Sequence, residues 1–157
     1  MIRLQFVCGT ALSSEAIAWF SAGHFSHVDA VMEDGALLGA RSNKIGEVPA
    51  GVQVRSCNYA AFNTRVVFNI PAMPLQKRRF DTYLKYQIGK PYDHQAIWAF
   101  MFGRDWREQD SWICSELQAA ALEHAGVLPP LYLAANKITP VALALAISAI
   151  GATPTTY

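Results

Sequence analysis

"FSHVDAVMEDGALLGARS", residues 25–42, decides the class of fold. Across residues 25–33 the side chains alternate with period two, so His27, Asp29, Val31 and Glu33 share one face of a strand while Val28, Ala30 and Met32 share the other. Asp34-Gly35 is a strong hairpin turn into a second strand over 36–42. Taken as a two-residue turn, it sets Glu33 against Ala36, Val31 against Leu38, Asp29 against Ala40 and His27 against Ser42. The cross-strand neighbour of His27 is then a hydroxyl, with Cβ atoms about 4.5–5.5 Å apart.

Further strands are expected on either side of this hairpin, at 2–8, 51–56 and 65–71, with a helix over 13–22 capped by Ser13 or Ser14. After Pro74 the pattern becomes helical, at 75–88, 93–102, 112–125 and 139–150, the last with Thr139 as cap before Pro140. Strands in the first half and helices in the second, without strand–helix alternation, predict an α+β domain whose antiparallel sheet packs against helices. No repeat or linker marks a boundary, so residues 1–157 read as a single domain.

A chain of 157 residues is long enough to bury roughly 70% of its unfolded surface. Hydrophobic residues make up 52%, charged residues 16% and the net charge is +1, a balance that indicates neither disorder nor a nucleic-acid surface. The early apolar run is broken at Gly9 and Thr10 and passes into Ser13-Ser14-Glu15, so it reads as a strand and a helix start rather than a signal peptide. No stretch reaches the 18 or so apolar residues of a membrane span, and the apolar tail 140–152 reads as a buried helix. The expected location is therefore the cytoplasm of the producing cell, unless a route without a signal peptide exports the protein.

Cysteines stand at 8, 57 and 114. Their odd number and lack of a CxxC pair argue for free thiols in a reducing compartment. Cys8 and Cys57 read as packing or surface thiols. "DSWICSEL" (110–117) is different, because Asp110 or Ser111 as N-cap puts Cys114 in the first turn of a helix. Free backbone N–H groups and the positive end of the helix dipole there favour a thiolate and can bind an oxyanion. His27 is the polar histidine best placed on the sheet to act as its base; His24, His94 and His124 read as structural or solvent-facing. "HFSH" (24–27) sends its two histidines to opposite faces, no three convergent ligands appear, and neither a metal nor a cofactor is expected.

A longer string, "IGKPYDHQAIWAFMFGRDWREQDSWICSEL" (88–117), resembles the Gly-x-Pro-Tyr … Cys-Ser-x-Leu segment of NlpC-type cysteine hydrolases, papain-like enzymes that cut amide bonds in peptidoglycan stem peptides. In most of that family the cysteine precedes the histidine. Here the histidine strand comes first, an order similar to the circularly permuted branch that groups with lecithin:retinol acyltransferase-like proteins. The resemblance covers about residues 24–42 and 88–120. It implies a papain-like fold, Cys114 as nucleophile, His27 as general base and then acid, and Tyr92 as an oxyanion or substrate contact.

The polar residue that orients the histidine in that family usually follows it by about a dozen residues on the next strand, where this chain has Gly39. Ser42, Asp29, Gln53, a backbone carbonyl or a water is left to hold the imidazole. The function implied is hydrolysis of an amide or peptide bond, with a cell-wall peptide as one candidate substrate. The alternatives are a thioester-forming acyltransferase on lipid or amine acceptors, with Trp98, Phe100 and Phe102 lining a tunnel, and an inactive binding or structural module of a phage or secretion apparatus. Arg41, Arg55, Arg104 and Arg107 receive no role, and oligomeric state is not legible.

Overall fold

Strand β1 (Ile2–Gly9) lies at the middle of a six-stranded antiparallel sheet. Its partners are β2 (His27–Val31) on one side and β5 (Phe62–Ile70) on the other. Beyond them lie β3 (Leu37–Arg41) and β4 (Gly51–Arg55), and at the opposite edge β6 (Thr153–Thr156), giving the order β4-β3-β2-β1-β5-β6. Three helices complete the described architecture: α1 (Pro74–Gln87), α2 (Cys114–His124) and α3 (Pro140–Ala149). The computed structural model describes residues 1–9, 25–93, 113–130 and 138–156. The α+β class expected from the order of strands and helices is thus present. The helix expected at 13–22, nearly all of that at 93–102, and Trp98, Phe100, Phe102, Arg104 and Arg107 lie outside the described residues.

Alternation decides which sheet face meets the helices. Leu4, Phe6, Val28, Ala30, Leu38, Ala40 and Phe68 are buried on one face and share a core with Phe80 and Leu84 of α1, Leu117 and Leu122 of α2, and Leu143 and Ile147 of α3. Each large side chain so buried contributes about 1.5–3 kcal/mol, enough to fix which way every strand faces. Helix α2 packs against β2, β3, α1 and α3, and both Leu117 and Ala121 are fully buried. Its neighbours start as the sequence suggests: α1 has Pro74 in its first turn, and Thr139 caps α3 by accepting a hydrogen bond from the Ala142 N–H at 2.9 Å.

The opposite face carries a buried polar row. Gln5 pairs with Asp29 across β1 and β2, and Gly39 pairs with Gln53 across β3 and β4. Gln5, Asp29, Gln53 and Arg55 are all buried.

The hairpin differs from its expected register by one residue. Met32 N–H bonds Ala36 C=O at 2.8 Å, so the loop holds three residues, Glu33, Asp34 and Gly35, rather than two. Gly35 has φ +83°, and Asp34 Oδ1 accepts from Ala36 N–H, which is the three-residue loop closed by a left-handed glycine. Val31 consequently faces Leu37 and Ala30 faces Leu38. The pairings of Val31 with Leu38, Asp29 with Ala40 and His27 with Ser42 are therefore corrected, and Ser42 loses the position that made it a candidate partner of the imidazole. Strand β6 was not anticipated; Pro154 is tolerated there because the strand is at the sheet edge.

Candidate active site

Cys114 opens α2. Its cap is Ile113, with extended backbone, rather than Asp110 or Ser111, which lie outside the described residues. The Ile113 N–H reaches Glu116 Oε2 at 3.5 Å, the N3-carboxylate half of a capping box, while Ile113 itself offers no side-chain acceptor to the first turn. Cys114 is therefore the first residue of the helix, its own N–H among those without an intrahelical acceptor.

Two side chains fix this end of the helix. Ser115 Oγ donates to Ile138 C=O at 2.5 Å, and Gln118 Nε2 donates to Leu38 C=O on β3 at 3.0 Å. Both are buried. Neither was singled out from sequence; a serine next to the candidate nucleophile and a glutamine one helical turn on, between apolar neighbours, were the available signal. They tie the first turn of α2 to the sheet and to the 138 segment, so Cys114 Sγ has little freedom although it begins a helix.

Cys114 is 6% exposed and lies against His27 and the Val28 backbone, and hydrogen bonding to both contributes to the electrostatics of its thiol. Burial opposes a thiolate, but the adjacent His27 and these hydrogen bonds outweigh it and hold the Cys114 thiol below its ordinary value. His27 shows the reciprocal balance: burial disfavours the imidazolium, while the charges of Asp29 and Cys114 and the bonds to them carry it above the usual imidazole value. The pair is thus biased toward thiolate and imidazolium.

Asp29 closes the row. Its Oδ1 lies 2.9 Å from His27 Nε2, leaving Nδ1 as the ring nitrogen available to the thiol. Arg55 reaches the same oxygen with Nη2. Burial pushes the Asp29 carboxyl up, yet His27 and Arg55 together bring it down to about 2. Of the three side chains weighed as partners of the imidazole, Asp29 is the one hydrogen-bonded to it. Gln53 instead sends Nε2 to the carbonyls of Pro49 at 3.0 Å and Asn43 at 3.4 Å, bracing the loop before β4.

Gly39 explains how this arrangement fits. A Cβ at position 39 would overlap Asp29 Oδ1 and stand 3.2 Å from its Cγ and 3.4 Å from Arg55 Nη2. The space a side chain of β3 would fill is thus taken by a carboxylate from β2 and a guanidinium from β4.

Tyr92 is delivered by the Gly89-Lys90-Pro91-Tyr92 segment, which docks on the free edge of β4. Gly89 N–H bonds Val52 C=O at 2.9 Å and Val52 N–H bonds Lys90 C=O at 2.8 Å. Gly51 permits this approach: its φ is +127°, and a Cβ there would strike Lys90 C=O. Burial raises the Tyr92 hydroxyl above its usual range, and the charge of Cys114 adds to this, with Arg41 offsetting part of it. Tyr92 therefore stays protonated beside the thiol and able to donate.

A carboxyl depressed in the folded state stabilises the fold above its unfolded value of 3.8 and loses that contribution as the pH falls through about 2. Asp29 should account for roughly 2 kcal/mol of acid sensitivity over this interval. Urea unfolding between pH 5 and pH 2 measures it, and Asp29→Asn should flatten the curve there; an unchanged slope would contradict the assignment.

Among the described residues no group of three His, Cys, Asp or Glu side chains is placed to hold a metal ion, and no helix is long and apolar enough to cross a membrane. Cys8 and Cys57 are partly exposed and form no disulfide. His124 packs against Tyr83 with ring centroids 4.9 Å apart, whereas His24 and His94 lie outside the described residues. Neither a protein-family model nor any curated protein sequence matches the chain.

Proposed function

We propose that the chain is a cysteine hydrolase that cleaves an amide or peptide bond through a Cys114–His27 pair and a thioacyl intermediate, with the papain-like fold and permuted order of the NlpC-related branch it resembles. The observation that carries this reading is the cluster of a Cys114 thiol on the first residue of a helix, His27 against it, and Asp29 bonded to the far ring nitrogen at 2.9 Å. A buried thiol needs none of these partners in order to pack.

Chemistry follows from the order of the groups. His27 Nδ1 takes the thiol proton, and the Cys114 thiolate attacks the substrate carbonyl. The Cys114 N–H and the Tyr92 hydroxyl donate to the oxyanion. The imidazolium then protonates the leaving amine, and the resulting thioester is resolved by water activated on the same ring. Asp29 supports His27 in both steps by accepting from Nε2. The resemblance supplies peptidoglycan stem peptides as the substrate class to try first. Glycine at position 39 does not count against this reading, because the Asp29 carboxylate occupies the place of a side chain there.

The test is the pH dependence of iodoacetamide labelling at each cysteine, resolved by peptide mass spectrometry, in wild type and His27→Ala. Wild-type Cys114 should label well below the ordinary thiol value of about 8.5. Replacing His27 should return it to that range or above, with a loss of rate at pH 7 of up to about tenfold for each unit by which the thiol rises past that pH. An unreactive Cys114, or a profile indifferent to His27, would remove the enzymatic reading.

A further inference from the structure

Arg55 was given no role by the sequence, yet its side chain is almost completely buried at the centre of the polar row. It starts on β4 and passes over β3. Nη1 donates to Gly39 C=O at 3.2 Å and lies 3.4 Å from Gln53 C=O, while Nη2 reaches Asp29 Oδ1 and stands 3.0 Å from His27 Nε2. Its outer side is covered by Tyr59, whose ring centroid lies 4.9 Å from Arg55 Cζ. Tyr59 is itself held by a 2.6 Å hydrogen bond from Arg41 Nη1. A guanidinium with a carbonyl on β3, a carboxylate on β2 and an aromatic ring above it has one position open to it.

We propose that Arg55 is a positioning residue: reaching across Gly39, it keeps the Asp29 carboxylate ionised and aimed at His27, and so holds the imidazole in its Nε2–H form with Nδ1 turned to Cys114. This rests on the Cys114–His27 pair being the working pair, and extends it. An ionised Asp29 can only accept, and Arg55 and His27 converge on the same oxygen. A neutral imidazole that donates to that oxygen carries its proton on Nε2 and leaves the lone pair on Nδ1 for the thiol, whereas a ring that accepts from Arg55 Nη2, 3.0 Å away, would carry it on Nδ1. An ionised Asp29 no longer held against Nε2 by the Arg55 fork would permit either form of the ring, and the base would be correctly oriented for part of the time.

The charge of Arg55 has a second effect. The groups around His27 are Asp29 on its own strand, Arg55 from β4 and Cys114 from α2, with Tyr59 and Arg41 behind Arg55 and Tyr92 beyond the thiol. Asp29 and the thiolate both favour the imidazolium. Arg55 is the cation close enough to oppose them, so it limits how firmly the ring retains the proton it must later give to the leaving group.

The experiment is a nitrogen-15 NMR titration of His27 in wild type, Arg55→Met and Arg55→Lys, run beside the alkylation profile of Cys114. Wild type should show the Nε2–H form of the neutral ring. Arg55→Met should mix the two neutral forms and raise the imidazolium midpoint by about one pH unit, the direction required when a neighbouring positive charge is removed. Arg55→Lys, which keeps the charge but not the fork, should restore most of the midpoint while leaving the two forms mixed. A wild-type ring protonated on Nδ1 would overturn the proposal even if Arg55→Met fails to fold. So would an unchanged or lowered midpoint in a folded Arg55→Met. An inert Cys114 together with the expected His27 titration would sink the hydrolase and leave the Arg55 assignment standing.

Discussion

Cys114→Ala should abolish turnover of any amide or ester substrate, a loss of at least about 10⁴-fold, because no later step can occur without the thioacyl bond. The fold should survive. The substitution removes one sulfur from a site at the end of a helix, where deletion of a single buried heavy atom costs about 1 kcal/mol. Ser115 and Gln118 still pin the first turn of α2 to Ile138 and Leu38. Urea unfolding beside an activity assay separates the two effects: a well-folded, inactive variant is expected, and a well-folded variant that still turns over would refute Cys114 as nucleophile.

Gly39→Ala is the second large effect, and an unusual one for adding a methyl group. The new Cβ would enter the volume held by Asp29 Oδ1, and the carboxylate cannot retreat without leaving both His27 and Arg55. Overpacking of this kind costs about 1–3 kcal/mol of stability. The rate should fall much further than stability, by about 10²- to 10⁴-fold, since losing the carboxylate behind a catalytic histidine costs up to about 10⁴ in a serine protease triad. A double-mutant cycle decides whether the route runs through Asp29. In an Asp29→Ala background the alanine at 39 should cost almost nothing, because the side chain it displaces is gone. Full activity in Gly39→Ala alone, or additive losses in the double variant, would refute the account of why position 39 is glycine.

These two positions differ in how far the sequence announces them. Cys114 was legible because a helix start and a thiol are local features, three or four residues wide. Its cap was misplaced, since the helix starts at Cys114 with Ile113 as N-cap, rather than further upstream at Asp110 or Ser111. His27 and Asp29 on one strand face follow from period-two alternation alone. What alternation does not supply is register. A third residue in the Glu33-Asp34-Gly35 loop slides β3 by one position against β2 and removes Ser42 from opposite His27.

The α+β class, most of the described strands and helices, and the residues proposed for thiol chemistry were legible along the chain, because they depend on periodicity, turn glycines and caps acting over a few neighbours. The tertiary structure alone decided which carboxylate meets the imidazole. Asp29 comes from β2, the room for it from Gly39 on β3, and its counter-charge from Arg55 on β4. Glycine at position 39 reads as a missing catalytic residue along the chain, and in space it is the gap through which the other two meet. Such a gap is a property of three strands packed side by side, so no window of sequence contains it.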